Sequence, residues 1–218
     1  MAPAGEMPGS GTGSEAERFW ERLYGAQARR WSGRPNAVLT EVAGPLPPGR
    51  ALDLGCGEGG DAVWLAERGW HVTAVDVSPT ALERAAALAR AAGVESRIAL
   101  ERHDLGRSIP AGTFDLVCAQ YLHSPIGLPR EQILRSAAGA VAGGGLLLVV
   151  EHGSVAPWSW DRDHDRRFPT AEEALTTLEL DLQAWDTERL ESMERRAGGP
   201  RGQAATVRDL VIALRRRR

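Results

Sequence analysis

Apolar residues recur along this chain in two rhythms, and the change from one to the other marks its elements. Compact apolar runs at 51–55, 71–77, 98–104, 114–119 and 145–151 are bounded by Gly, Pro, Asp or Ser and read as buried strands. Between them the spacing turns helical, at 61–68, 79–92 and 129–141, and again at 171–178. Two helices are predicted ahead of the first strand. One covers 14–26, with Phe19, Leu23 and Tyr24 at helical spacing. The other runs through Val38, Leu39 and Val42, after the turn Trp31-Ser32-Gly33-Arg34-Pro35-Asn36. Strands alternating with helices predict an α/β fold, a parallel sheet with helices on both faces.

The tail breaks that alternation. Runs at 183–197 and 205–214 flank Gly198-Gly199-Pro200-Arg201-Gly202 and read as an antiparallel pair joined by a loop. The expected sheet is therefore doubly wound and seven-stranded, mostly parallel with an antiparallel last strand.

Composition changes this picture little. The 218 residues suit one domain with a real core, and a net charge of -3 indicates neither a basic nucleic-acid binder nor an acidic tail. Every basic residue is arginine, which reads as coding bias. Two cysteines, Cys56 and Cys118, are too few and too far apart for a disulfide framework or a zinc cluster, and a reducing cytoplasm fits. No apolar run approaches a membrane-spanning length, and no signal-peptide core opens the chain. The first 13 residues, MAPAGEMPGSGTG, read as a disordered tail.

The candidate chemistry begins where the first strand turns into a helix, at Leu52-Asp53-Leu54-Gly55-Cys56-Gly57-Glu58-Gly59-Gly60. Gly55-x-Gly57-x-x-Gly60, with Asp76 some way on, fits the fingerprint of a nicotinamide dinucleotide site. The same letters fit the acid-x-Gly-x-Gly-x-Gly turn for S-adenosylmethionine. Both ligands need glycines there, because a Cβ would hold them off the backbone. They differ in charge. A dinucleotide lays a pyrophosphate on the helix N-terminus, where Asp53 and Glu58 would repel it. Those acids are well placed for a cationic ligand instead. Asp76 suits the ribose of either, and Asp104 is a further acid at the end of the third strand.

Three stretches then resemble successive motifs of class I S-adenosylmethionine-dependent methyltransferases: residues 51–60, Val72-Thr73-Ala74-Val75-Asp76-Val77-Ser78-Pro79, and Phe114-Asp115-Leu116-Val117. The resemblance covers about residues 48–150, and the tail pair is similar to that fold's last two strands. It implies a Rossmann-like domain with a set of cofactor-binding residues. Asp53, Gly55, Cys56, Gly57 and Gly59 would line the methionine part, with Cys56 a small filler. Asp76 would hold the ribose hydroxyls and Val77 would flank the adenine. Asp104 and Leu105 would take the adenine edge, and Gln120 would sit beside the sulfonium. The product would be S-adenosylhomocysteine.

A narrower resemblance rests on Phe19-Trp20-Glu21-x-x-Tyr24 followed by Trp31-x-Gly33-x-Pro35. It is similar to the lid of the tellurite-resistance, thiopurine and halide/thiol group of small-molecule methyltransferases, though no Asp follows Trp31. It implies that Trp31 and Arg34 join the cofactor site and that Trp20 and Tyr24 face the substrate. On this basis residues 14–218 form one domain: a helical lid over 14–46, a cofactor-binding core over 48–153, and a substrate-side loop, helix and hairpin over 154–218.

The acceptor is expected where the parallel strands end. Tyr121 and His123 follow the fourth strand and His152 ends the fifth. A neutral His123 could take a proton from an acceptor, and Tyr121, His152 and Trp158 could contact it. Trp158 and Trp160 could equally cover the sheet, while His71, Trp64 and Trp70 read as structural. Asp161, Asp163, Asp165 and Glu172 sit at calcium-loop positions one, three, five and twelve, but Arg166 replaces the glycine of position six, so no metal is expected. Thr170 and Glu173 instead predict a capping box. The four terminal arginines lack the aromatic company of a nucleic-acid site.

The expectation is methyl transfer to a small molecule, such as a soft thiol, chalcogen oxyanion or halide, by a monomer or homodimer with no nucleic-acid or membrane partner. The alternatives are a binding module without catalysis, and a nicotinamide oxidoreductase.

Overall fold

The computed structural model describes residues 14–28, 30–159, 167–199 and 202–218. The N-terminal tail, Trp160 and the acids at 161, 163 and 165 lie outside the described residues.

The elements run α1 (Glu15–Gly25), α2 (Ala37–Ala43), β1 (Arg50–Leu54), α3 (Gly60–Glu67), β2 (His71–Asp76), α4 (Pro79–Ala91), β3 (Ile98–Arg102), β4 (Phe114–Gln120), α5 (Arg130–Gly139), β5 (Val141–His152), α6 (Ala171–Thr177), β6 (Trp185–Gly198) and β7 (Ala204–Arg216). The seven strands form one sheet in the order β3-β2-β1-β4-β5-β7-β6. Strands β1 to β5 pair in parallel, and β7 runs antiparallel to both its neighbours, β5 and β6. The sheet matches the expected one: mostly parallel, with β7 the reversed strand.

Local chemistry sets the helix starts. Asn36 accepts the N–H groups of Val38 and Leu39 to cap α2. Ser78 caps α4 through the Ala81 N–H, and Pro79 fits its first turn, where no N–H is needed. The capping box expected at Thr170 and Glu173 is present, each side chain meeting the other's backbone N–H.

The core divides by the pleat of the strands. Leu52, Leu54, Val117, Ala119, Leu147 and Val149 belong to one cluster, with Leu134 and Ala137 of α5 and Ala174 and Leu175 of α6. Their alternates Ala51, Leu116, Cys118, Leu146, Leu148 and Val150 belong to a second, with Leu39 of α2 and Leu65 of α3. Fully burying a leucine is worth about 1.5–3 kcal/mol, so these alternating rows hold the sheet and pin its register.

Several boundaries differ from the sequence expectation; β3, expected over 98–104, ends at Arg102, so Asp104 lies past the strand. The helix predicted to 141 ends at Gly139, and β5 begins at Val141 instead of 145. Its early part is Gly143-Gly144-Gly145, which carries no apolar signal. A Cβ at Gly145 would lie 3.0 Å from the carbonyl oxygens of Phe114, Asp115 and Ala142, and the β4–β5 register shifts beside it. Only glycine lets the strands close there. Strand β6 begins at Trp185, not 183, because Asp181 starts a short 3-10 turn over Leu182–Ala184.

The arginine run at the end of β7 is tied into the sheet's lower edge. Arg215 pairs with Glu188, Arg216 donates to the Val141 carbonyl at 2.6 Å, and Arg217 pairs with Asp186 at 2.8 Å.

Candidate active site

The glycine turn after β1 forms a backbone cradle. Gly55, Gly57 and Gly59 all adopt positive φ, at 70, 53 and 84°. A Cβ at Gly59 would meet Ala85 at 2.7 Å, and one at Gly57 would meet the Tyr24 hydroxyl at 3.0 Å. The sequence thus folds the chain where only glycine is unstrained.

Acids gather around this cradle. Asp53 is buried at the end of β1, where Oδ1 accepts from the Cys118 thiol at 3.7 Å. Its Oδ2 meets no hydrogen-bond partner. Burial, followed by the charges of Asp61 and Asp76, pushes the Asp53 carboxyl well above the usual range. Burial likewise raises Asp61, in the first turn of α3, although the Asn36 N–H donates to it at 2.6 Å. Asp76 ends β2. Its Oδ2 accepts from Gly57 N–H at 3.0 Å and its Oδ1 from Ser78 N–H at 2.9 Å. Burial still lifts its carboxyl above the ordinary value against these donors. Cys56 lies in the turn with its thiol raised by burial, which makes it an inert filler.

This donor set fits the cationic ligand expected from the sequence. An unpartnered buried carboxylate oxygen invites an ammonium, and the glycines keep Cβ atoms off the backbone of the turn. Gln120, at the end of β4, adds a second orphan: both amide atoms are buried without partners. A pyrophosphate would meet Asp53 and Asp61 instead, which disfavours a dinucleotide.

Other expected ligand groups have local roles. Val77 is half-buried between Asp76 and Ser78. Asp104 accepts the Gly106 N–H at 3.2 Å and pairs with Arg107 at 3.5 Å, so its carboxylate also shapes its own turn. Leu105 packs against the core beside it.

Glu58 differs from expectation. It does not face an open site. Its carboxylate accepts the N–H groups of Arg30 and Trp31, the latter at 2.8 Å, and pairs with Arg84 at 2.7 Å. Burial alone would raise Glu58, but these donors outweigh it and hold its carboxyl below the usual range. Glu58 therefore ties the N-terminal segment down over the turn.

That segment is clasped at several points. Glu21 of α1 accepts from the Ser78 hydroxyl at 2.6 Å and from Thr80, and Arg84 donates to the carbonyls of Tyr24 and Gln27 at 2.9 and 2.6 Å. Tyr24 is buried, and its hydroxyl accepts from the Trp31 indole N–H at 3.1 Å. Trp20 stands 6.1 Å from the Tyr24 ring. Trp31 is 48% exposed. Arg34 is exposed too, and it reaches the site through its carbonyl, which lies beside Gly60. A Glu21→Ala substitution is expected to lower the opening free energy of α1 by about 1–3 kcal/mol. Hydrogen exchange would show this as faster exchange in residues 15–25 with the sheet unchanged; unaltered protection would contradict the clasp.

A second group lies at the ends of β4 and β5. Tyr121 has φ 53°, a left-handed backbone that costs a non-glycine residue about 1–3 kcal/mol. Its ring stacks on His152 with centroids 4.3 Å apart, and His123 meets His152 edge-on at 5.2 Å. His123 is exposed, and its Nδ1 lies 2.8 Å from the Tyr121 carbonyl. A carbonyl only accepts, so that nitrogen carries the proton. Burial, with the charge of His123, lowers His152 to about 4, leaving its imidazole neutral near pH 7. Trp158 is not part of this group. Its ring packs against Gly199 in the β6–β7 connection.

The two groups touch. A Cβ at Gly55 would lie 2.9 Å from Leu122, so the segment carrying Tyr121 and His123 rests on the glycine turn.

The sequence expectation missed Arg195 and Asp209. Asp209 is fully buried and holds both Tyr121 and Arg195. The available signal was an acid at the head of the apolar run of the last strand. No comparable signal marked Arg84 as the partner of Glu58. Among the described residues no cluster of three or more His, Cys, Asp or Glu could hold a metal, and no helix is long and apolar enough to cross a membrane.

Comparison with known proteins agrees with this geometry. A family profile described as a methyltransferase domain matches residues 51–145. The chain is 44% identical over 68 residues to a probable thiol methyltransferase 2 of Arabidopsis thaliana, covering 30% of each chain. It is 29% identical over 144 residues to ajmaline N-methyltransferase of Rauvolfia serpentina, covering 63% of this chain and 47% of the relative. The chain thus spans less than half the length of these curated relatives. Among solved structures, one concerning conversion of a disulfide bond into a thioacetal group during echinomycin biosynthesis aligns with a TM-score of 0.70 at 23% identity, covering 92% of this chain and 93% of that one. TehB from Haemophilus influenzae aligns at 0.66 and 16% identity, over 93% of this chain and 67% of that one. At these identities the structures speak for the fold alone.

Proposed function

We propose that this chain, which carries an S-adenosylmethionine-dependent methyltransferase domain, moves a methyl group to a small-molecule acceptor beside Tyr121, His123 and His152. The observation that supports this most is the buried Asp53 oxygen without a partner, beside a glycine cradle that touches the histidine-bearing segment. Core clusters on alternate strand residues, each with its own helices, support the doubly wound form with helices on both faces.

When bound, S-adenosylmethionine supplies a methyl group already activated by its sulfonium charge. The chain's own residues do the rest. Asp53 pairs with the ammonium, and the backbone of Gly55, Gly57 and Gly59 makes room for the methionine part. Asp76 keeps lone pairs for the ribose hydroxyls beyond those given to Gly57 and Ser78. Gln120 stands by the sulfonium, and Val77, Asp104 and Leu105 border the adenine. The 14–46 segment serves as a lid, held by Glu21, Glu58 and Arg84, which excludes water and fixes the approach.

On the acceptor side, Nδ1 of His123 donates to the Tyr121 carbonyl, and His123 is the base of this reading. A protonated thiol, phenol or amine can use such a base, while a soft anion has no need of one. The similarity to a probable thiol methyltransferase supports thiols among the acceptors.

Donor binding carries a pH signature. Burial raises Asp53 and Asp61, so acidification protonates them before ordinary carboxyls, and a protonated Asp53 offers no charge to an ammonium. Affinity for S-adenosylhomocysteine is expected to fall about tenfold or more from about pH 7.5 to about pH 5. Calorimetric titration at several pH values would show it, and flat affinity would contradict Asp53 as the ammonium's partner.

The function itself is tested by incubating the protein with S-adenosylmethionine and separate thiols, iodide, selenite, tellurite and phenols, and measuring S-adenosylhomocysteine release. Acceptor-dependent release is expected. Tight binding of S-adenosylhomocysteine with no release from any acceptor class would favour a binding module.

A further inference from the structure

The acceptor-side histidines are oriented by a single residue, and that residue is held from the far end of the chain. Tyr121 sits in left-handed backbone, where a side chain rarely stays without support. Its N–H donates to the Val150 carbonyl at 2.7 Å. Its phenol donates to Asp209 Oδ2 at 2.8 Å and accepts from Arg195 at 3.0 Å. Arg195 also donates to the same Asp209 oxygen, which closes a three-membered clamp.

Asp209 is out of place for a structural residue. It is fully buried on β7, just ahead of the apolar run that starts at Leu210, and is paired with His152 on β5 and Met193 on β6. Its second carboxylate oxygen has no hydrogen-bond partner. An apolar residue would fill that position at less cost in desolvation. What the acid does in return is visible at Tyr121. With the phenol fixed, the Tyr121 carbonyl meets His123 Nδ1 at 2.8 Å and the ring lies 17° from the plane of His152.

We propose, on the basis of the methyltransferase reading, that Asp209 and Arg195 are positioning residues of the acceptor site. They clamp the Tyr121 phenol, and Tyr121 then sets the tautomer of His123 through its carbonyl and the orientation of His152 through stacking. Neither residue touches the acceptor.

The test uses Tyr121→Phe, Arg195→Gln and Asp209→Asn in the full chain. Long-range proton–nitrogen spectra of the imidazoles report the tautomer of His123 and the titration of His152, and calorimetry reports S-adenosylhomocysteine binding. The unaltered chain is expected to show His123 protonated at Nδ1. In Tyr121→Phe and Arg195→Gln the tautomers should mix and His152 should titrate nearer its ordinary range. Donor-analogue affinity should stay within about threefold, since the phenol, Arg195 and Asp209 bond to one another and not to the acids of the cradle. With an active acceptor, kcat should fall while the donor KM holds. Unchanged imidazole signals in both variants would overturn the proposal. So would loss of folding in all three, which would make the clamp a stability element. Failure of the unaltered chain to bind S-adenosylhomocysteine would instead sink the methyltransferase reading, and the imidazole spectra would still judge the clamp.

Discussion

An Asp53→Asn variant is expected to unfold at a higher temperature than the unaltered chain and to bind S-adenosylhomocysteine at least about 100-fold more weakly. The two effects share one cause. Asp53 is 1% exposed, one of its oxygens has no partner, and Asp61 and Asp76 add like charge nearby. A carboxylate in that position opposes folding until a cation arrives. An amide of the same shape removes the charge and relieves about 1–3 kcal/mol, or about 2–12 °C in Tm for a chain of this size. It also removes the proposed partner of the donor's ammonium. The pH dependence of stability carries the same sign. A carboxyl raised in the folded state is protonated more readily there than in the unfolded chain. Its penalty therefore grows as pH rises through the raised value and vanishes below the ordinary carboxylate range. The unliganded protein should thus gain from acidification at this site while it loses donor affinity. Thermal scans and calorimetry on both proteins check the pair of effects. A destabilised variant with normal binding would contradict them.

Asp76→Ala is expected to abolish measurable donor binding and also to destabilise the protein by about 2–5 kcal/mol. From the sequence alone only the first effect is foreseen. The structure adds the second, because Asp76 accepts the N–H groups of Gly57 and Ser78. Removing it leaves both donors buried without partners and frees the glycine turn they brace. Asp76→Asn keeps one acceptor oxygen and should lose less stability, while still weakening the ribose contact. Denaturant midpoints and binding curves for the two variants separate these contributions. Equal stability of Asp76→Ala and the unaltered chain would contradict the bracing role.

The fold was legible because burial on a parallel sheet leaves continuous apolar runs, and β1, β2, β4 and most of β5 carry them. The exception was informative: the early part of β5 is three glycines, which leave no apolar trace yet are required where β4 and β5 approach. The glycine turn and its acids were legible for a similar reason. Asp53, the glycines and Asp76 lie in local motifs whose spacing follows from one strand–turn–helix unit. Long-range partners were not. Glu58 meets Arg84 on α4, and Tyr121 meets Asp209 across 88 residues of chain. Such contacts depend on strand order and register, which the pattern of the chain constrains only loosely. Glu58 was misjudged on that account, since its charge is spent on Arg84 and the N-terminal segment.

The central claim is a donor site built on Asp53 and the glycine turn, and direct titration of S-adenosylhomocysteine into the unaltered chain and Asp53→Asn at neutral pH tests it most directly. Saturable one-site binding to the unaltered chain, with near-complete loss in the variant, is the expected result. Equal binding by both proteins would contradict Asp53 as the anchor, and absence of binding by the unaltered chain would contradict the donor site itself.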